Sequence, residues 1–160
     1  MWQIKSFSEL STEEFYQIVR LRIAIFVVEQ ERIYYEVDDR DLTAFHLFHQ
    51  DEQGQIDAYA RIFEMGKELS FGRLVTDPLK RGQGLGSQLV REILKFTSQR
   101  YPDRTIHIEA QEQVVGLYKK FGFEITGSSF IFEGSPHVPM TCTPKFPNKS
   151  FPNPSENIVK

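Results

Sequence analysis

"VTDPLKRGQGLGSQLVREIL", Val75 to Leu94, carries an apolar run into an amphipathic helix through a turn with glycine at positions 82, 84 and 86. Glycine at this density weakens any regular element. Yet Leu89, Val90, Ile93, Leu94 and Phe96 follow at helical spacing. The first turn of a helix carries unpaired N–H groups, and its dipole places about +0.5 charge there. Glycines let a backbone approach an anion closely. The turn therefore reads as an anion cradle built from the amides of Gly82, Gln83, Gly84, Leu85, Gly86 and Ser87, with Arg81 adding a planar positive fork. A tight turn that holds nothing is the alternative, and an arginine beside three clustered glycines is hard to justify by turn geometry alone.

Three kinds of phosphate loop compete for this stretch. A P-loop needs Gly-Lys-Ser or Gly-Lys-Thr, and the chain has neither. A dinucleotide loop needs G-x-G-x-x-G, but counting from Gly82 the last position is Ser87. The acetyl-CoA loop, [Q/R]-x-x-G-x-[G/A], is satisfied by Arg81, Gly84 and Gly86.

Outward from the turn, the elements fall in the order β-α-β-β-β-α-β-α-β-β. Trp2 to Phe7 reads as a strand. Ser11 and Glu14 form a capping box before Phe15, Val19, Ile23, Phe26 and Val27 at helical spacing. Residues 31 to 42 are acidic and irregular. Thr43–His49, Ile56–Glu64 and Leu69–Thr76 read as three strands joined by polar, Gly-containing turns, hence antiparallel neighbours. The helix after the glycine turn runs to about Ser98. Thr105–Ala110 alternates as a strand. Val114, Leu117, Tyr118 and Phe121 mark a further helix, with Gly122 where a C′ glycine belongs. Phe123–Phe132 and His137–Thr143 complete a mixed, mostly antiparallel sheet of six to seven strands flanked by helices, an α/β (α+β) class.

The 160 residues suffice for one domain with a substantial core. Residues 1–143 read as that domain, and the Pro- and Asn-rich stretch 144–160 as an extended tail. The net charge of −3 gives no nucleic-acid footprint. The single cysteine, Cys142, excludes an internal disulfide and suggests a reducing, cytoplasmic setting. No secretion signal or membrane-length apolar run is evident, so no membrane partner is expected. His46 and His49 face opposite sides of a strand and make no metal site. The terminal strands and tail offer a surface for a homodimer.

The stretch from Val75 resembles the core motif of the GCN5-related N-acetyltransferase (GNAT) superfamily, V-x-P-x-x-R-G-x-G-x-G. "GLYKKFGFEITG" from Gly116 is similar to the family's [F/L]-Y-x-x-x-G-F block. The N-terminal half resembles the ElaA-like branch through Arg22, Phe26, Val27, Val28, Glu29 and Gln30, then Tyr34, Glu36, Asp38 and Asp41. Arg61 and His137 fit that branch, whereas Arg32-Ile33 stands where the branch has Cys-Pro. The resemblance covers about residues 1 to 143.

The resemblance implies a sheet splayed between its fourth and fifth strands, with acetyl-CoA as the cofactor. Arg81 to Ser87 would take the pyrophosphate. Leu74, Val75 and Thr76 would hydrogen-bond the pantetheine arm, as would Gln111, where many members have Asn. The reaction implied is acetyl transfer to a primary amine of a small molecule or peptide, with Tyr118 as the acid for the leaving thiolate. For the base the order is Glu109, then Glu29, then a water relay. Glu29, Gln30, Glu36 and Arg61 are expected around the acceptor. Asp38, Asp39 and Asp41 read as a solvated acidic rim, and Cys142 as packing. A catalytically idle acyl-CoA-binding or sensor domain is the alternative.

Overall fold

Residues 1–144 are described by a computed structural model. The elements are β1 (Trp2–Ser6), α1 (Thr12–Arg22), β2 (Phe45–Gln50), β3 (Ile56–Met65), β4 (Glu68–Thr76), α2 (Leu85–Arg100), β5 (Ile106–Gln111), α3 (Val115–Lys120), β6 (Glu124–Ile125), β7 (Phe130–Phe132) and β8 (Ser135–Cys142). All strands join one sheet in the order β1-β2-β3-β4-β5-β8-β6, with β7 also on β8. Every pairing is antiparallel except β4 with β5. Apart from Pro144, the expected tail lies outside the described residues.

Strand alternation assigns the two cores. Leu47, Ala58, Ala60 and Ile62 face one side with Leu89, Val90, Ile93 and Leu94 of α2. Phe48, Tyr59 and Val75 face the other with Ile18 of α1 and Ile25 and Phe26 beyond it. Each fully buried aliphatic side chain of α2 contributes roughly 1.5–3 kcal/mol by leaving water. The capping box at the start of α1 is formed, with Glu14 N–H donating to Ser11 Oγ at 3.0 Å and Ser11 N–H to Glu14 Oε2 at 2.9 Å.

Two expectations are corrected. The first helix does not run as one α-helix to Val27. It stops at Arg22, and Ile23–Glu29 continues as a π-helix. This run is rich in β-branched residues, which hold a regular α-turn poorly. Its wider turn buries Ile25 and Phe26 and leaves Val28 exposed. The last strand pair is also more divided than expected. Residues 126–129, Thr-Gly-Ser-Ser, lack the apolar alternation of a strand. They separate β6 from β7, so the sheet has eight strands.

His46 is fully buried on β2 and satisfied on both nitrogens. Nε2–H donates to the Asp41 carbonyl at 2.8 Å, and Nδ1 accepts from the Tyr59 hydroxyl at 2.8 Å. Burial pushes its pKa down, against the pull of the Asp41 carbonyl. A group with a depressed folded pKa stabilises the fold above its unfolded pKa, here ~6.5, and that contribution fades as pH falls. Melting temperature is expected to decline from pH 6.5 to 5, and His46→Gln should flatten that decline. An unchanged slope in the variant would assign the decline to other groups.

Candidate active site

β4 and β5 start as neighbours and then part. Their only register pair is Leu69 with Ile106, and Leu69 N–H donates to the Thr105 carbonyl at 3.0 Å. A bulge in β4 marks the separation. Arg61 pairs with Gly72 but Tyr59 with Val75, so β4 carries one extra residue there. Arg73, within the bulge, has φ +54°, a left-handed conformation unusual for a non-glycine residue. Its guanidinium is tied to Glu36, with Nε at 3.0 and 3.1 Å from the two carboxylate oxygens. The opening leads into a cavity of about 540 Å³ lined by Phe71, Leu74, Ile108, Glu109, Gln111 and Tyr118, among others.

At the end of β4 the glycine turn is an open nest. Gly82 and Gly84 have φ of +78° and +77°, and a Cβ at either would meet only open space. Asp77 accepts from Leu79 N–H at 2.9 Å, closing the short turn that precedes them. Gly84 caps α2 without a side-chain bond. Among the described residues, none of the amides of Gly82 to Ser87 has a protein acceptor. Six partnerless donors at the positive end of a 16-residue helix fit a pyrophosphate. Arg81 stands beside them and is held by Glu29 through bonds of 2.7 and 3.0 Å. The bond from Arg81 lowers the Glu29 pKa.

Under the cavity floor, charges from distant segments are packed together. Fully buried Arg22 donates Nη1 to Asp41 at 2.7 Å and Nη2 to Glu36 at 2.7 Å. Arg61 holds Asp38 and Asp41, at 3.0 Å for the latter. Burial alone would raise the Asp41 pKa, but the Arg22 hydrogen bonds and the charges of Arg22 and Arg61 outweigh it and lower it. The expected solvated rim of Asp38, Asp39 and Asp41 is thus corrected at Asp41, whereas Asp38 and Asp39 are exposed. Asp41 is buried because two arginines neutralise it, and Asp38 pairs with Arg61. Glu36 is likewise buried between Arg22 and Arg73.

Residues 8–144 match the family model described as "Acetyltransferase (GNAT) domain". Protein ElaA of Escherichia coli is 33% identical over 144 residues, spanning 87% of this chain and 94% of its own. Its crystal structure superimposes with a TM-score of 0.83, at 32% identity over 88% of this chain and 97% of that one. The chain belongs to the GNAT family, on its ElaA-like branch. A UPF0039 protein of Schizosaccharomyces pombe is 36% identical, over 85% of this chain and 92% of its own. An acyl-CoA N-acyltransferase of Pseudomonas aeruginosa gives a TM-score of 0.82 at 30% identity, covering 88% of this chain and 98% of that one. The fold is that of the GNAT acyltransferases.

Within this GNAT chain the cavity collects Arg61, Leu74, Glu109, Gln111 and Tyr118. Tyr118 is 5% exposed and packs edge-on to Phe71, with Phe123 on it too. Burial pushes its hydroxyl pKa up, so it carries its proton at physiological pH. Glu109 projects from β5 with no ion pair or hydrogen bond among the described residues. Gln30 and Gln111 bond each other reciprocally, at 2.9 and 3.3 Å, so the π-helix end and β5 close one wall together. The Val75 side chain packs in the second core, and Thr76 pairs with Ala58 on the β3 side of β4.

Several polar cavity residues, Arg32, Tyr34 and His137 among them, were not site candidates in the sequence. Tyr34 and Arg32 lie in the irregular segment 31–42, where no periodicity assigns a face. His137 was visible only as part of the branch pattern. Its Nδ1–H donates to the Ser135 carbonyl at 2.8 Å, and its ring stacks on Phe130 and meets Phe132 edge-on.

Proposed function

We propose that the protein transfers an acetyl group from acetyl-CoA to a primary amine of a small molecule or peptide, by direct attack in a ternary complex. The observations that carry this reading are the open amide nest of Gly82 to Ser87 just after β4 and the cavity where β4 and β5 part, which is lined by Tyr118 and Glu109. Arg81 and the amides of Gly82 to Ser87 grip the pyrophosphate. The unpaired β4 edge at Leu74, with Gln111 opposite, takes the pantetheine arm.

When bound, the thioester supplies an electrophilic carbonyl and a thiolate leaving group. A lysine-like amine, pKa ~10.4, costs about 4.6 kcal/mol to deprotonate at pH 7. Glu109 accepts this proton directly or through water, since its carboxylate is otherwise unengaged. Glu29 ranks lower because Arg81 occupies it. The amine nitrogen bonds the acetyl carbon, the C–S bond breaks, and Tyr118 O–H gives its proton to sulfur. The apolar surroundings that keep Tyr118 protonated also disfavour a bare thiolate, so the proton is most useful there.

Removing a general acid costs about 10²–10⁴ in rate. Tyr118→Phe should lower kcat by ~100-fold, read by release of CoA thiol, with acetyl-CoA affinity within about twofold by calorimetry. Full turnover in that variant would return Tyr118 to a packing role. Acetyl-CoA binding without transfer to any amine in the intact protein would favour a sensor domain instead.

A further inference from the structure

Among the described residues, two buried side-chain polar atoms have no hydrogen-bond partner: Tyr34 Oη and Arg61 Nε. Both residues line the cavity between β4 and β5. Both atoms are donors, and native proteins rarely leave such groups unpaired unless a ligand or water completes them.

Arg32 stands beside Tyr34 and lines the same cavity. It is 8% exposed, and no carboxylate among the described residues pairs with it. Its Nε–H donates to the Glu133 carbonyl at 3.0 Å. Its other contacts, to the Phe132 carbonyl and Gln30 Oε1, are both 3.5 Å. All three acceptors are uncharged, and most of its five N–H donors stay weakly engaged. Its guanidinium lies 4.5 Å from the Tyr34 ring centre, and that of Arg73 lies 5.3 Å from the same ring. Glu36, Asp38 and Asp41 are already bound by Arg22, Arg61 and Arg73. Among the described residues no ion pair joins Arg32 to Glu68 or Glu109, the other acids on the cavity wall. Arg40, also on the cavity wall, stacks on Phe63 at 3.9 Å and pairs with no carboxylate among the described residues either.

We infer that Arg32, Tyr34 and the Arg61 Nε–H form a carboxylate subsite, so that the acceptor is an amine that also bears a carboxylate, such as an amino acid. A planar carboxylate has two oxygens, which match a guanidinium fork and a hydroxyl donor together. Glu109, entering the same cavity from β5, answers the cationic amine of such a zwitterion. The assignment rests on the acetyltransferase reading and narrows its acceptor class.

The test uses α- and ω-amino acids, their methyl esters, and phosphoethanolamine as a phosphate-bearing amine. Transfer is read by CoA thiol release, and binding by calorimetry on the CoA-loaded protein. Free acids should exceed their esters at least tenfold in kcat/KM, mainly through KM. Arg32→Gln should erase that ratio, mainly through a higher KM for the free acids. Tyr34→Phe, which removes only the orphan hydroxyl, should reduce the ratio without disturbing the fold. Equal handling of acids and esters, a preference for phosphoethanolamine, or no binding of any free acid overturns the carboxylate subsite. A failure to bind acetyl-CoA at all would strike the acetyltransferase reading instead.

Discussion

Gly84→Glu is expected to abolish acetyl-CoA binding. Gly84 is the N-cap of α2 at φ +77°, ψ 8°, a left-handed conformation that an L-residue adopts only at a cost of about 1–2 kcal/mol. The new side chain meets no steric obstacle, since a Cβ there has nothing within 4 Å. It does bring a carboxylate to the mouth of six unpaired amides, where it competes for the same donors and repels a pyrophosphate. Losing two charge-assisted bonds at roughly 1.5–3 kcal/mol each corresponds to a 10²–10⁴-fold weaker Kd. Calorimetry with acetyl-CoA measures this directly, and circular dichroism checks that α2 persists. Wild-type affinity in a folded variant would remove the turn from the binding site. Gly84→Ala separates the two contributions, because it carries the backbone strain without the charge and should weaken binding less.

Arg22→Met should produce the largest loss of stability. The methionine fills much of the arginine's volume but leaves Glu36 and Asp41 buried without their shared cation. Removing one partner from a buried ion pair costs about 3–5 kcal/mol. Arg61 and Arg73 still touch those carboxylates, so the lower figure is the better expectation. For a chain of this size, about 3 kcal/mol lowers Tm by ~10 °C. The sign of the pH dependence is distinctive. Stripped of Arg22, whose hydrogen bond and charge hold the Asp41 pKa down, Asp41 binds a proton more readily, so the gap between wild type and variant should narrow as pH falls from 7 towards 4. A deficit independent of pH would mean that lost packing, including that on the Tyr59 ring 5.5 Å away, accounts for the effect.

These two residues differ in how far they could be read from the chain. Gly84 announces itself locally, because glycine density, a neighbouring arginine and the helical pattern after it all lie within one stretch. Arg22 does not. It sits near the end of a regular amphipathic helix, where a basic residue is unremarkable, and only the fold brings Glu36 and Asp41 onto it. Asp41 read as part of a solvated rim for the same reason. Sequence shows the charges, but it does not show the three arginines that neutralise them.

The sequence by itself determined what short-range physics controls. Ser11 and Glu14 set the start of α1 through bonds spanning three residues. Alternation set the faces of β2 and β3, and the glycines set an anion nest before α2. The tertiary structure alone decided the rest. The π-turn at Ile23–Glu29 shifts every later side chain off the α-helical period, and so presents Glu29 to Arg81 and Gln30 to Gln111. The bulge at Arg73 parts β4 from β5, and the end of β7 with the turn after it brings the Phe132 and Glu133 carbonyls to Arg32. Those contacts join residues 52 to 101 positions apart. Periodicity assigns a residue to a face, but it carries no information about which distant segment will meet that face. The nest that grips the donor was therefore legible in the chain, and the chamber for the acceptor was not.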